Sequence, residues 1–330
     1  MSPILGTLLA LSRAAALSLA AACGVAALAA QGGRFSDRLD ALTHLAPLWL
    51  AGGLAAAAIW LLTGRRDRAT PGLAALGVAS SLLLMAPELA TAARQRPSPV
   101  AADTETLKIV QFNLWGRNTD PRGTARWILD RDPDVVVLEE AYARSGGVAR
   151  ALAGRYPHQT SCAEPRPCST MILSKRRPLR AGGLSSAVSE ARLAGAWATL
   201  PSRGGAFTVV GVHYTWPWPA GPQQQMTLRL SRVLGRFRQD RLILAGDFNS
   251  TPWSFSLRRQ DRLFGLQRRT RALPSWPAGD ISRLHAPTPF PVLPIDHVYA
   301  GAAWRTVSVE RGPRLGSDHY PVVVTLARAE

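Results

Sequence analysis

Three long apolar runs in the first 93 residues constrain the fold of this chain most strongly. Residues 14–30, 45–62 and 71–90 are rich in Ala and Leu and almost free of charge, and each approaches the ~20 residues that a helix needs to cross a bilayer. The one acid among them, Glu88, lies near the end of its run, where a helix reaches the membrane interface. We therefore predict a membrane region over residues 1–93 with three transmembrane helices.

The charges on the short loops predict the orientation of this region. Arg65-Arg66-Asp67-Arg68 joins the second and third runs, and basic short loops stay on the cytoplasmic side. The chain after the third run would then be extracytoplasmic, at the inner membrane of a bacterium. In an alternative interpretation, residues 1–30 are a signal peptide cleaved near Ala27-Leu28-Ala29. Two spans then remain, and the C-terminal part is still exported.

Cysteine spacing is compatible with an oxidising compartment. Cys162 and Cys168 lie six residues apart in a Pro-rich loop, so a loop disulfide is the prediction and two free thiols are the alternative. A zinc site is not indicated, because no second pair of Cys or His ligands lies nearby.

The sequence changes character after residue 93. Prolines make residues 94–105 a stiff linker. The apolar share of the whole chain, 47%, is too high for a disordered protein. Residues 106–330 alternate short β-like runs with Arg-rich helical stretches, which predicts an α/β domain with a sheet at its centre. The expected strands are 107–112, 135–138, 171–173, 197–200, 207–212, 242–245, 297–299 and 322–326, and the expected helices are 123–129, 147–152 and 224–237.

Polar side chains fall repeatedly where these strands meet loops. Active sites are assembled at such points, because rigid strands fix the side chains while loops leave them accessible. Any one of these residues alone could cap a turn or pair within the core, but six coincidences favour a site. The residues concerned are Asn113, Glu139-Glu140, His213, Asp247-Phe248-Asn249, Asp296-His297 and Ser317-Asp318-His319.

This ordered set resembles the endonuclease/exonuclease/phosphatase superfamily, which includes pancreatic deoxyribonuclease, apurinic endonucleases, sphingomyelinases and inositol-polyphosphate phosphatases. Gly246-Asp247-Phe248-Asn249 and Ser317-Asp318-His319-Tyr320-Pro321 are its most diagnostic elements, and the match spans about residues 106–328. The resemblance implies a four-layer αββα sandwich, with two sheets face to face and helices outside. The whole chain is similar to a membrane-anchored bacterial branch of the superfamily.

The resemblance also implies catalytic roles. Asp247 would orient and deprotonate the attacking water, and Asn249 would hold a phosphate oxygen. His319 would contact the phosphate or transfer a proton, with Asp296 as its carboxylate partner. His213 would act from the opposite side as a donor or general acid. His297 is expected to point away from the site as a structural residue.

A metal site is implied by the same resemblance. Glu140 is the expected ligand, with Asn113 beside it and Asp318 completing an oxygen-rich shell that suits Mg²⁺ or Mn²⁺. The family usually has Gln before its metal-binding Glu, whereas this chain has Glu139. Because neighbouring strand residues point to opposite faces, one of the two acids is the ligand. We assign it to Glu140 and keep Glu139 as the alternative.

The substrate is less constrained by the sequence. Trp216 and Trp218 come shortly after His213 and are predicted to bind substrate, by stacking on a base or packing on a lipid tail; insertion into the bilayer interface or packing within the domain are alternatives. Membrane attachment favours a phosphorylated lipid or lipid-linked substrate. The formal net charge of +17 keeps nucleic acid open, so the alternatives are a membrane-anchored nuclease and a non-catalytic membrane scaffold. No protein partner is indicated.

Overall fold

A computed structural model describes residues 2–64, 66–95, 97–98, 100–101, 104–162, 170–184, 193–281 and 286–329 of the chain. Two compact units form. The first comprises Met1–Ala93, Trp218–Ala220 and Thr251–Arg258, and the second comprises Arg94–Pro217, Gly221–Ser250 and Arg259–Glu330. Two short segments of the predicted catalytic domain are thus grouped with the N-terminal helices.

The first unit contains three helices that are long and apolar enough to cross a membrane, by length and composition. The first of them begins at Pro3, earlier than the run 14–30, because the Ser2 side chain accepts a hydrogen bond from the Leu5 N–H at 3.3 Å and proline suits the first helical position. The helices of this unit are α1 Pro3–Gln31, the single turn α2 Asp37–Asp40, α3 Ala46–Leu62 and α4 Ala69–Arg94.

Small residues let these helices approach closely. Ala20, Ala56 and Ala74 form a buried cluster, and a Cβ added to Gly53 would lie 3.1 Å from the Ala74 carbonyl oxygen. Close backbone approach through Gly and Ala is the usual way in which helices pack in a bilayer, where no hydrophobic driving force acts between them. The first helix is therefore an integral part of the bundle.

The segment between α1 and α3 is folded within the same unit. The Asp40 carboxylate accepts hydrogen bonds from the backbone N–H groups of Phe255 and Ser256, both at 2.8 Å. His44 Nδ1 accepts from the Thr251 N–H at 3.1 Å. Asp40 and His44 are both buried. Carboxylates stabilise the first turn of a helix by accepting from its unpaired N–H groups, so Asp40 caps the helix that begins at Phe255.

Two mixed six-stranded sheets form the second unit, in the orders β13-β14-β1-β2-β4-β3 and β5-β6-β7-β8-β12-β9; β10 and β11 pair separately. The strands are β1 Thr106–Asn113, β2 Val135–Glu139, β3 His158–Ser161, β4 Thr170–Ser174, β5 Arg180–Leu184, β6 Ala194–Leu200, β7 Phe207–His213, β8 Leu242–Asp247, β9 Gln267–Arg268, β10 Asp280–Ile281, β11 Ala286–Pro287, β12 Asp296–Ala300, β13 Trp304–Arg311 and β14 Val322–Arg328. The remaining helices are α5 Pro121–Arg131, α6 Gly146–Leu152, α7 Pro222–Leu234 and α8 Phe255–Phe264.

Alternation along the strands produces the layers. In β1, Ile109 packs in a core shared by both sheets, whereas Val110 and Phe112 pack in a second core with α5 and α6. Side chains of a strand point alternately to its two faces, so each central strand has one face toward the other sheet and one toward helices. In α7, Met226 and Leu230 are buried. This arrangement confirms the predicted αββα sandwich.

Candidate active site

The site lies where the core between the sheets ends. In β8, Ile243 and Ala245 belong to that core, and Asp247 is the next residue on the same face. The Cα partners of Asp247 are His213 in β7 and Asp296 in β12. Three adjacent strands therefore place a carboxylate, an imidazole and a second carboxylate side by side, on a face that their own apolar residues hold rigidly.

A glycine and a turn set the position of Asp247. A Cβ on Gly246 would lie 1.9 Å from the Val212 carbonyl oxygen, so only glycine lets β8 approach β7 at this point. After the strand, the Asn249 backbone N–H donates to Asp247 Oδ1 at 2.8 Å. Asp247 and Asn249 thus form the Asx-turn that their sequence permits, and the turn holds the carboxylate.

One oxygen of Asp247 is the centre of the site. Asp247 Oδ2 lies 3.0 Å from Asn113 Nδ2 and 3.3 Å from Asn249 Nδ2. The Nε2 atoms of His213 and His319 lie 3.6 and 3.7 Å from the same oxygen. Four of the predicted residues therefore converge on a fifth, and the acid between two imidazoles is the natural place for proton transfer.

Burial and charge separate the protonation states of these groups. Burial raises the pKa of Asp247 to about 7; His319 opposes the rise and Asp296 adds to it. Burial alone would lower the pKa of His319, but Asp296 and Asp247 outweigh it and raise that pKa to about 10. Burial lowers the pKa of His213, although Glu140 opposes this. At neutral pH His319 is an imidazolium and His213 a neutral imidazole, a division typical of acid and base roles.

His319 is fixed by its neighbours in sequence and in space. Its Nδ1 lies 2.8 Å from Asp296 Oδ2, and its backbone N–H donates to Ser317 Oγ at 3.0 Å. The Ser317 hydroxyl in turn donates to the Asn113 carbonyl oxygen at 2.7 Å. The serine of Ser317-Asp318-His319 therefore ties this loop to the end of β1, beside the other polar residues.

The adjacent acids Glu139 and Glu140 differ in environment. Glu139 ends β2 and is completely buried, whereas Glu140 lines an open cavity. The Glu140 carboxylate accepts from the Gly116 N–H at 3.0 Å, and Asn113 Nδ2 lies 3.4 Å from its other oxygen. Of the two carboxylates, only Glu140 can meet an ion or substrate that enters from solvent.

Three residues of the site have positive φ angles. Glu140, Trp115 and Asn249 have φ angles of 52°, 56° and 47°, in the left-handed region that Asn tolerates but that Glu and Trp rarely adopt. Such conformations persist only when the surroundings impose them, and they concentrate at functional sites. The strain at Trp115 and Glu140 therefore supports a functional interpretation of the loops after β1 and β2.

A cavity of about 580 Å³ opens over these groups. Asp247 and His319 are in its wall, together with Asn249, Glu140 and Asp318. Most of the remaining lining is aromatic or basic, which the sequence indicates only at Trp216; these residues are Trp115, Arg117, Tyr142, Trp216 and Trp276. Trp218, predicted beside Trp216, does not line the cavity and is 66% exposed.

An acidic metal site can be assembled from the described residues. Asp247, Asp296 and His319 offer ligand atoms within 4.8 Å of one another, but both Asp296 oxygens already accept hydrogen bonds from Gln111 and His319. Glu140 and Asp318 face the cavity instead. Burial raises the pKa of Asp318, and the charge of Glu140 raises it further. Two mutually repelling carboxylates at a cavity wall fit a hard divalent cation.

Two further predictions concern residues near the site. His297 is buried, with Nε2 2.9 Å from the Ser250 carbonyl oxygen, which confirms it as a structural residue. Asn113 turns its amide nitrogen toward Glu140 and Asp247, while its Oδ1 accepts from the Trp115 N–H at 3.0 Å. In this position the Asn113 amide orients the carboxylates of Glu140 and Asp247.

The remaining prediction concerns the cysteine pair. Cys162 is disulfide-bonded, and Cys168 lies outside the described residues.

The shifted pKa values predict a bell-shaped dependence of kcat/KM on pH. As a base Asp247 would have to be ionised, so activity is expected to fall as pH falls through its pKa of about 7. As a donor His319 would have to be protonated, so activity is expected to fall as pH rises through its pKa of about 10. A bound cation favours the ionised carboxylate and moves the acidic limb to lower pH. Steady-state kinetics of a small phosphoester would show both limbs, and a profile rising continuously beyond pH 10 would contradict the assignment of His319.

Comparisons with known proteins identify a matching family model and similar solved structures. A model of the Endonuclease/Exonuclease/phosphatase family matches residues 110–319, and no curated protein matches the chain. Similar solved structures include sphingomyelinase C from Streptomyces griseocarneus, with a TM-score of 0.51 and 20% identity over 67% of this chain and 99% of that one. Beta toxin from Staphylococcus aureus with bound magnesium ions has a TM-score of 0.52 and 14% identity over 68% of this chain and 100% of that one.

A third similar structure is D. rerio TDP2 complexed with single-strand DNA product, with a TM-score of 0.53 and 18% identity over 67% of this chain and 99% of that one. At these identities the likeness concerns the fold alone. The family model, however, covers well over half of the sequence, so the chain belongs to the endonuclease/exonuclease/phosphatase family.

Proposed function

We propose that this protein is a divalent-metal-dependent phosphoesterase that hydrolyses a phosphate ester or pyrophosphate bond of a membrane lipid or lipid-linked substrate. The convergence of His213, His319, Asn113 and Asn249 on one oxygen of Asp247 carries the proposal. Hydrolysis of a phosphate ester needs a base for water, donors for the phosphate oxygens and compensation of negative charge, and this cluster offers the first two beside an acidic metal site.

Each residue would have one task. Asp247, with a pKa raised to about 7, would orient the attacking water and take its proton. Asn249 and the imidazolium of His319 would donate to the phosphate oxygens. His213, on the other side of Asp247, would hold the leaving group as a donor. Asp296 would keep the His319 ring in place through Nδ1.

A divalent metal ion would compensate negative charge on the reacting phosphate. Glu140 and Asp318 would hold Mg²⁺ or Mn²⁺, with Asn113 keeping Glu140 in position. The ion would stabilise negative charge that develops on the phosphate and on the leaving oxygen. Among the described residues of the cavity wall no cysteine is present, which favours an oxygen-loving ion over zinc.

Membrane location supports a lipid substrate. Three helices have the length and composition of membrane spans, and the packing of α1 against the bundle favours three retained spans over a cleaved signal peptide. The basic Arg66-Asp67-Arg68 loop favours a cytoplasmic position for itself and hence an extracytoplasmic C-terminal domain. Fusion of alkaline phosphatase and of a fluorescent protein to the C-terminus tests this: only the phosphatase fusion should be active in cells.

A second function, an anchored nuclease, is favoured by one observation. The formal net charge is +17, and such a surface attracts polyanions. The similar TDP2 structure contains a single-strand DNA product. A nuclease of this kind would bind DNA with an affinity that falls steeply as salt rises. A scaffold without catalysis is the third candidate, and it gives no reason for the retained cluster around Asp247.

One experiment separates the three functions. The full chain in lipid nanodiscs is supplied with Mg²⁺ or Mn²⁺ and offered phospholipids, polyprenyl pyrophosphates, supercoiled DNA and single-stranded DNA. Turnover of a lipid that is lost on Asp247→Asn establishes the proposed function. DNA cleavage alone identifies the nuclease. Silence on every substrate, with either ion, leaves the scaffold.

Trp216 is expected to contribute to binding of the lipid. Because it lines the cavity, Trp216→Ala should raise KM for the lipid substrate about two- to tenfold, the effect of losing one aromatic contact. KM for a small soluble phosphodiester should change little. Trp218→Ala is the matched control, since Trp218 lies outside the cavity wall. Equal increases of KM for both variants would contradict a specific role for Trp216.

A further inference from the structure

A fully buried amide joins the two sheets behind the catalytic histidine. Gln111 lies on the inter-sheet face of β1, two residues before Asn113, and is 0% exposed. Its Nε2 donates to Asp296 Oδ1 at 2.8 Å and to Glu139 Oε2 at 2.9 Å. An amide nitrogen carries two hydrogens, so one side chain serves carboxylates from β12 of one sheet and β2 of the other.

Gln111 determines how Asp296 can face His319. One oxygen of Asp296 accepts from Gln111 at 2.8 Å, and the other lies 2.8 Å from His319 Nδ1. Rotation of the carboxylate would break both hydrogen bonds at once. Without the Gln111 amide, Asp296 Oδ1 would lose a buried donor beside the Glu139 carboxyl, whose pKa burial and the charge of Asp296 raise well above its ordinary value. The loss of a buried hydrogen bond to a charged group costs free energy in a low-dielectric interior.

Glu139 has the complementary role toward Gln111. It is also 0% exposed and accepts from the amide through Oε2. The second oxygen of each side chain, Gln111 Oε1 and Glu139 Oε1, has no hydrogen-bond partner among the described residues. Buried polar atoms are rarely left unpaired. A side chain at position 139 that carried a donor as well as an acceptor could satisfy the free oxygen of Gln111.

We propose that Gln111 is a positioning residue for the Asp296–His319 pair and that Glu139 holds the Gln111 amide in the orientation this requires. The inference rests on the proposed hydrolytic function for its kinetic consequence, but its structural content does not depend on substrate. It assigns Glu139, the buried acid before Glu140, a role other than metal binding.

Kinetics test the proposal in the full chain. Gln111→Leu keeps the size of the side chain and removes the donor, and should lower kcat about 10- to 100-fold, as removal of a supporting hydrogen bond does in other sites, with KM unchanged. In an Asp296→Asn background, Gln111→Leu should lower kcat by less than about twofold, because the Asp296–His319 pair that Gln111 supports is already broken. Equal losses in both backgrounds would overturn the proposal.

Rescue at position 139 separates positioning from packing. Glu139→Leu should lower kcat as Gln111→Leu does, whereas Glu139→Gln should retain most of kcat, because its amide can accept from Gln111 and donate to the free Gln111 oxygen. A loss in Glu139→Gln as large as in Glu139→Leu contradicts the proposed role of Glu139.

A spectroscopic readout does not require turnover. In the full chain in detergent, labelled with ¹⁵N at its six histidines, the His319 Nδ1–H should give a downfield hydrogen-bonded signal, identified by its loss in His319→Asn. The signal should move or broaden in Gln111→Leu and persist in Glu139→Gln. An unchanged signal in Gln111→Leu overturns the proposal even if the protein hydrolyses substrate. A wild-type chain with the signal but no turnover would refute the proposed function alone.

Discussion

Replacing Asp247 with Asn should reduce kcat for phosphoester hydrolysis by about 10³-fold, because it removes the base while keeping the shape of the side chain. The asparagine can still accept from the Asn249 N–H, which donates to Asp247 Oδ1 at 2.8 Å, so the turn should survive. It cannot take a proton from water at any accessible pH. The loss should therefore appear in kcat, with substrate binding and folding close to wild type.

Single-turnover and steady-state kinetics of the full chain measure this effect, beside circular dichroism as a check of folding. Asp240→Asn is the matched control, since Asp240 forms a surface ion pair with Arg238 at 2.9 Å in the loop before β8 and should leave kcat unchanged. If Asp247→Asn retained more than a tenth of wild-type kcat, Asp247 would not be the base.

Removal of divalent metal should abolish activity, and restoring Mg²⁺ or Mn²⁺ should recover it. Glu140 faces the cavity together with Asp318, so Glu140→Gln should raise the Mg²⁺ concentration for half-maximal activity by about 10-fold or more, since it removes a charged ligand. Glu139 is buried and does not line the cavity. Glu139→Gln should leave the Mg²⁺ requirement unchanged.

Titration of activity with Mg²⁺ after chelation compares the two adjacent acids directly, and isothermal titration of Mn²⁺ gives the same comparison without substrate. A raised requirement in Glu139→Gln and an unchanged one in Glu140→Gln would exchange their roles. Full activity after exhaustive chelation would refute a metal-dependent site.

The central strands could be predicted from the sequence because burial on both faces leaves continuous apolar runs. Val135–Glu139 and Leu242–Asp247 are buried at every position. The edge strands were not predicted, since an edge strand is partly solvated and carries a weaker apolar signal. Arg180–Leu184, at one edge, contains two glycines, and His158–Ser161, at another, is polar throughout.

The placement of the candidate site residues could be predicted because alternation along a strand fixes the face of a side chain. Asp247 and His213 continue the inter-sheet face of their strands. The order of the motifs along the chain marked them as candidate site residues. Gln111 obeys the same rule, two residues before Asn113, but a lone glutamine inside an apolar strand gives no chemical signal. Its role emerges only from its partners in β2 and β12.

Long-range packing sets the remaining features of the site. Trp276 lies in an irregular segment and lines the cavity beside Trp216, with their rings 6.2 Å apart. No local pattern marks its approach to a residue sixty positions earlier in the chain. The capping of Phe255 and Ser256 by Asp40 is likewise invisible in the sequence, because a cap is normally sought within a few residues of the helix it closes.

Hydrolysis in water enriched in ¹⁸O tests the central claim most directly. The full chain is supplied with Mg²⁺ and a lipid phosphoester, and the products are analysed by mass spectrometry. If water activated by Asp247 attacks phosphorus, the label must appear in the phosphoryl product, only when metal is present, and not with Asp247→Asn. Label in the released alcohol, or equal turnover by Asp247→Asn, would contradict the account.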